Sequence, residues 1–168
     1  MSILVVMEQR AGVWHRMSWE ALAAAQQLGA ELQQPVSAAV LGANVSGLAG
    51  QLAGKQLAHV HAVEHELLKD YTPDGYTAAL RQLIATAKPR LVLFPHTYEV
   101  RDYAPKLATS LERVLVSDVV SHRVESGELV LVRQLFQGKL NVDVRFASEP
   151  PYWSRRRLVR GEMNDDSR

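Results

Sequence analysis

Residues 91–120 read LVLFPHTYEVRDYAPKLATSLERVLVSDVV. Four apolar residues, Leu91 to Phe94, end at Pro95 and predict a strand covered on both faces. The polar turn His96-Thr97-Tyr98 follows. From about Val100 to Arg113 the apolar positions Tyr103, Leu107, Ala108 and Leu111 recur at helical spacing. Arg101 and Asp102 sit near the start of that helix, which empties into Val116-Ser117-Asp118-Val119. A strand followed directly by a helix is half of a parallel α/β unit, and ligands of open α/β sheets lie beyond the carboxyl ends of the strands. The turn after Phe94 is therefore the first place to seek a site.

The same rhythm runs outward towards the amino terminus. Ile3 to Met7 and Val36 to Leu41 are continuous apolar runs, and Val60 to Val63 is a shorter run with polar flanks, as an edge strand has. Between them, Ser18 fits an N-cap with Glu20 in the first turn, Leu22, Ala25 and Leu28 mark a buried face, and Gly29 reads as the stop. Asn44 or Ser46 reads as the cap of a short helix through Leu48, Leu52 and Lys55. Thr72-Pro73-Asp74 opens a further helix whose apolar face is Tyr76, Leu80, Leu83 and Ile84. Repeated β–α units at short spacing predict the α/β class: a doubly wound, mostly parallel sheet with right-handed crossovers. After Asp118 the helices stop. Val119–Val124, Glu128–Leu135 and Leu140–Phe146, with Gly127 and Gly138 in the turns, predict antiparallel strands extending the sheet. Glu149-Pro150-Pro151 breaks the last of them, and Tyr152 to Val159 suits one more strand. The expected organisation is a single α/β domain over residues 1–163 with a polar tail at 164–168.

Composition narrows the function classes. Nineteen basic residues against 18 acidic ones leave a net charge of +1, so nothing global draws the chain to nucleic acid or a membrane surface. With no cysteine, disulfides, thiolate catalysis and iron–sulfur ligation are excluded. The first residues lack a basic n-region and no apolar run reaches the length of a membrane span, which leads us to expect a cytoplasmic protein.

Motifs exclude more than they assign. There is no GxxxxGK[ST], no GxGxxG after a strand and no GxSxG elbow. The turn after Met7 is Glu8-Gln9-Arg10, with an acid where a phosphate cradle wants bare amides. His59 and His61 share a strand face, with His65 past its end, and read as solvated imidazoles on a polar edge, not a metal site. Ser117, Asp118, Ser121 and His122 are too close along a strand to meet as a triad. Trp14, Trp19 and Trp153 read as isolated packing residues. Arg155, Arg156, Arg157 and Arg160 alternate across a strand and are offset by Glu162, Asp165 and Asp166. The alternative reading is a stand-alone protein that binds an adenine nucleotide or small molecule between the ends of strands one and four, with Glu8, Gln9, His96, Thr97 and Arg101 as the pocket. No catalytic constellation emerges, and the expectation is that the chain is not an enzyme.

The sequence resembles a known family. The strand LVLFP, the T-x-x-x-R-D turn of Thr97 to Asp102, the helix APKLATSL and the entry Val116-Ser117-Asp118-Val119 resemble the α subunit of electron-transfer flavoproteins. The run Ile3 to Glu8 resembles that subunit's first strand, Val130 to Val144 its hairpin, and Leu158 to Met163 the strand leaving its N-terminal domain. Val100 stands where the family has glycine, and Arg133-Gln134-Leu135-Phe136-Gln137-Gly138-Lys139 lacks the hairpin's proline and asparagine. The resemblance implies a Rossmann-like fold, akin to adenine-nucleotide α-hydrolases, and covers only the family's N-terminal domain, so no FAD-site residue carries over from the C-terminal FAD-binding domain. It further implies a role in electron transfer as a scaffold or partner-binding module, with FAD held through a partner or a shared site. The implied partners are a β-type subunit, another flavoprotein, or a second copy in a homodimer, with Arg101, Asp102, Asp118 and Arg133 as candidate contacts.

Overall fold

The computed structural model describes residues 2–146 and the backbone of Tyr152–Arg155. The strands are β1 (Ile3–Met7), β2 (Gln9–Arg10), β3 (Val13–Trp14), β4 (Val36–Gly42), β5 (His59–Glu64), β6 (Leu91–Pro95), β7 (Leu115–Glu125), β8 (Glu128–Leu135), β9 (Leu140–Val144) and β10 (Tyr152–Arg155). The helices are α1 (Arg16–Leu32), α2 (Ser46–Leu52), α3 (Pro73–Ala87) and α4 (Tyr98–Ser110). All strands but β2 and β3, which form a small hairpin, join one eight-stranded sheet in the order β5-β4-β1-β6-β10-β7-β8-β9. Pairing is parallel from β5 through β7 and antiparallel from β7 through β9. The expected class is confirmed: a mostly parallel α/β sheet with an antiparallel wing.

Burial explains the parallel part. Every residue of β1, β4 and β6 is buried, because helices cover both faces of the sheet. One core contains Ile3, Val5 and Met7 with Ala21, Ala25 and Leu28 of α1. A second contains Leu4, Val6, Val92 and Phe94 with Leu80 and Ile84 of α3 and Tyr103 and Leu107 of α4. As expected, β5 is an edge strand, and no residue of it is fully buried. The late strand β10 is the surprise. It does not lie at a sheet edge but runs parallel between β6 and β7. A two-residue step on β10 spans three residues of β7, leaving a bulge at Ser117-Asp118 where Asp118 takes a left-handed conformation (φ 57°).

Several local expectations are corrected. Ser18 is not the cap of α1: His15 is, accepting from the Met17 amide, while the Ser18 hydroxyl is buried and bonds both the Glu8 amide (2.8 Å) and the Glu8 carbonyl (3.0 Å). Gly29 does not stop α1. Gln33 takes the left-handed turn (φ 52°), and the Gln34 amide closes a Schellman bond to the Gly29 carbonyl at 2.8 Å. Helix α4 starts at Tyr98, earlier than Val100, because Thr97 caps it and accepts from the Val100 amide at 3.2 Å. Strand β7 begins at Leu115, before Val119, and β9 ends at Val144. Trp14 and Trp19 are not isolated but meet edge to face at 5.7 Å. The expectations at Glu149 to Pro151, at Arg156, Arg157 and Arg160, for Leu158 to Met163 and for the tail at 164–168 lie outside the described residues, as do the side chains of Trp153 and Arg155.

Helix α2 has an unexpected cap and ends at Leu52, short of Lys55. Neither Asn44 nor Ser46 closes it from within. Instead one oxygen of Glu64, at the end of β5, accepts from the Val45 amide (2.7 Å), the Ser46 amide (2.7 Å) and the Ser46 hydroxyl (2.8 Å). These bonds favour the carboxylate and hold its pKa below the usual range, the Ser46 hydroxyl contributing most. The folded value is depressed, so the stabilisation is complete above the ordinary carboxylate range and is lost as pH falls through the folded value. Glu64→Gln is expected to lower the denaturation midpoint at pH 7, with the gap to wild type closing in acid. Urea titrations of both proteins across that range check it.

Candidate functional site

Strand order reverses between β1 and β6, since β1 leads outward to β4 and β5 while β6 lies on its other side. Such a switch point opens a crevice beyond the strand ends. Here it is a cleft of about 660 Å³ lined by Glu8, Arg10, His15, His96, Thr97, Tyr98, Glu99, Arg101 and Asp118. Glu8 follows β1, and His96 and Thr97 follow β6. The bulge in β7 delivers Asp118, whose carboxylate lies 3.4 Å from His96 Nε2.

The structure thus brings together Glu8, His96, Thr97, Arg101 and Asp118. It does not bring in Gln9, Asp102 or Arg133. Gln9 is spent on the backbone: its amide nitrogen donates to the Leu41 carbonyl (3.0 Å) and its oxygen accepts from Gly12 (3.0 Å). Gly42 makes that route possible, for a Cβ there would stand 2.9 Å from Gln9 Nε2. Asp102 faces the segment that leads into α3, accepting from the Tyr71 hydroxyl at 2.8 Å. Arg133 reaches the Ser117 hydroxyl at 3.4 Å. Tyr98 of the same turn as His96 and Thr97 lines the cleft too, and Arg10, His15 and Glu99 join it without a sequence motif to mark them. Arg10 and Glu99 each lie within two residues of Glu8 and Thr97, and that adjacency was the available signal.

Thr97 is the hinge of the site's polar contacts. Its hydroxyl accepts the Val100 amide and donates to the Glu8 carboxylate. The head of α4 and the end of β1 are therefore tied through one buried side chain. Thr97→Val keeps the shape and removes both bonds. It is expected to cost about 1–2 kcal/mol, the range for losing a cap and stranding a partner, read from the urea midpoint.

Glu99 is half-buried beside Glu8. Burial first, then the Glu8 charge, push its pKa up to about 7, with Arg10 opposing. Beneath the two carboxyls lie Tyr76 and Tyr103. Burial raises both phenols, to about 12 for Tyr76, and the nearby acids add to it. The cleft wall mixes the carboxyls of Glu8, Glu99 and Asp118 with the cations Arg10 and Arg101, and no glycine lies in its lining. Among the described residues no group of three or more His, Cys, Asp or Glu side chains could hold a metal ion, and no described helix is long and apolar enough to cross a membrane.

Comparison with known proteins adds the family. Residues 3–157 match the electron transfer flavoprotein domain. The chain is similar to electron transfer flavoprotein subunit alpha of Syntrophomonas wolfei, 34% identical over 146 residues, which cover 87% of this chain and 45% of that protein. It is 33% identical over 137 residues to subunit alpha of Bacillus subtilis, covering 82% of this chain and 42% of the relative. It is also 33% identical over 144 residues to Protein FixB of Azorhizobium caulinodans, covering 82% and 38%. The chain thus spans about half the length, or less, of the curated relatives it matches. Fold, motif stretch and whole-length match agree: the chain belongs to the electron transfer flavoprotein domain family.

Proposed function

We propose that this chain acts in electron transfer as an α-subunit-type module that positions and binds a partner, with the flavin held by that partner or at a shared site. Residue 3 to residue 157 matches a family whose relatives are named as electron transfer flavoprotein subunits, and this carries the reading. The absence of a glycine phosphate loop at either strand end favours this division of labour. Arg101 and the 90% exposed Tyr98 stand one helical turn apart at its rim and are the contacts we assign to the partner. The partner is a β-type subunit, another flavoprotein or a second copy, and the module works in the cytoplasm without catalysing a reaction of its own.

Two measurements test the reading. Mixing the purified chain with a β-type subunit from the same genome should give a stoichiometric complex by light scattering, weakened by Arg101→Glu. A chain that stays monomeric and meets no such subunit overturns it. Titration calorimetry with AMP, ATP and FAD should give no heat with the chain alone. Micromolar nucleotide binding lost on Arg101→Ala would replace the module with a nucleotide-binding protein using Glu8, His96, Thr97 and Arg101.

A further inference from the structure

A second cavity, of about 470 Å³, lies at the other end of the parallel strands from the cleft. Ser2, Pro35 and Pro89, which lead into β1, β4 and β6, fix it at that end. Two imidazoles, His59 and His61, line it from the edge strand β5. Side chains two apart on a strand share a face. Val63, the next residue on that face, packs against the core, but the two positions before it carry rings able to ligate a metal. The ring centres of His59 and His61 lie 6.2 Å apart. His59 is exposed and His61 half-buried.

Neither ring is committed elsewhere. His65, the third histidine of the segment, is spent on the following turn, where its Nδ1 accepts from the Leu67 amide at 3.1 Å. Among the described residues no hydrogen bond or ion pair holds His59 or His61. Burial first, then the neighbouring His59, lower the His61 pKa, which keeps that ring in the neutral form a metal ligand needs. Zinc takes three or four protein ligands, and no such group exists among the described residues. A soft monovalent ion with a filled d shell takes two imidazoles in line, and the chain has no cysteine, the softer ligand that would draw such an ion away. A metal about 2 Å from one nitrogen of each ring, with each ring centre about 1 Å further on, holds the two centres about 6 Å apart. The strand spacing supplies that separation, and rotation about the side-chain bonds aims the nitrogens.

We propose that His59 and His61 form a two-coordinate site for monovalent copper, with one imidazole nitrogen of each ring closing on the ion. The ion enters from solvent on the exposed His59 side and binds without a change of oxidation state. Both ligands stand on one strand, so loading needs no movement of one element against another. The site shares no residue with the cleft and does not depend on the partner contacts of Tyr98 and Arg101.

The test is anaerobic titration of the full chain with copper(I) against a chromophoric copper(I) chelator, ascorbate keeping the metal reduced. The wild type should take one ion per chain. His59→Asn and His61→Asn should each weaken binding by at least about 10-fold, since even an outer partner of a metal ligand is worth that much. His65→Ala should bind as the wild type does. Silver(I), which shares the preference for two ligands in line and does not oxidise, should shift the imidazole nitrogens of His59 and His61 in nitrogen-15 NMR and leave the other histidines unmoved. Zinc(II) should bind more weakly than copper(I). Circular dichroism establishes that each variant is folded, and the His59 arm, at an exposed position, stands even if His61→Asn does not fold. Unchanged affinity in His59→Asn, silver shifts spread over the other histidines, or zinc bound as tightly as copper(I) each overturns the assignment.

Discussion

Phe94→Ala is expected to lower the unfolding free energy by about 3–5 kcal/mol, the usual cost of truncating a buried phenylalanine. Phe94 is 0% exposed and lies on β6, which is buried throughout. It packs among Leu4, Val6, Val92, Tyr103 and Leu107, with the Tyr103 ring against its edge. Truncation leaves a void that cannot collapse easily, because β1 and β10 fix the backbone of β6 from both sides. The loss should appear in urea as a lower midpoint with an unchanged slope. A loss under 1 kcal/mol would mean that this core is far more plastic than close packing allows.

Gly29→Ala is expected to cost about 1–3 kcal/mol, as overpacking does, although alanine is the better helix former. A Cβ at Gly29 would stand 2.5 Å from Val36 Cγ2 and 2.9 Å from the Gln34 carbonyl oxygen. The first neighbour is a stiff branched side chain at the start of β4 and the second is backbone, so neither yields cheaply. Gly50 in α2 provides the contrast, since nothing lies within 4 Å of its hypothetical Cβ. Gly50→Ala is expected to stabilise by up to about 1 kcal/mol, the propensity difference between the two residues. Matched urea titrations check both signs, and two shifts of the same sign would refute the packing argument.

The legible parts of the sequence are those written in local chemistry. Thr72-Pro73 opens α3 where expected, with Thr72 accepting from the Gly75 amide at 3.2 Å. The apolar run Leu91 to Phe94 is a buried strand, and Gly127 and Gly138 take the positive φ values (82° and 89°) that the hairpin turns need. What escaped the reading depends on partners distant in sequence. The seat of β10 between β6 and β7 leaves no local mark, because a buried strand reads the same in any slot of a sheet. Glu64 caps a helix that begins 18 residues before it, so no window around Ser46 contains the cap. Gly29 looks like a terminator until Val36 is seen against it. The turn after Phe94 leads to His96, Thr97 and Arg101 in the cleft, and the turn after Met7 leads to Glu8. Gln9 was misplaced because a turn sequence does not say which way a glutamine points.

The position of β10 also bears on how the chain is made. During synthesis β1, β4, β5 and β6 leave the ribosome early and can assemble with their helices, while β7, β8 and β9 can pair as local hairpins. The two halves meet along one strand that emerges only after both. Until Tyr152–Arg155 arrives, the nascent protein carries two unpaired inner edges, on β6 and β7. Joining them is a long-range step and hence a slow one. A chain stalled or cleaved just before residue 152 would display two sticky strands, a natural target for chaperones.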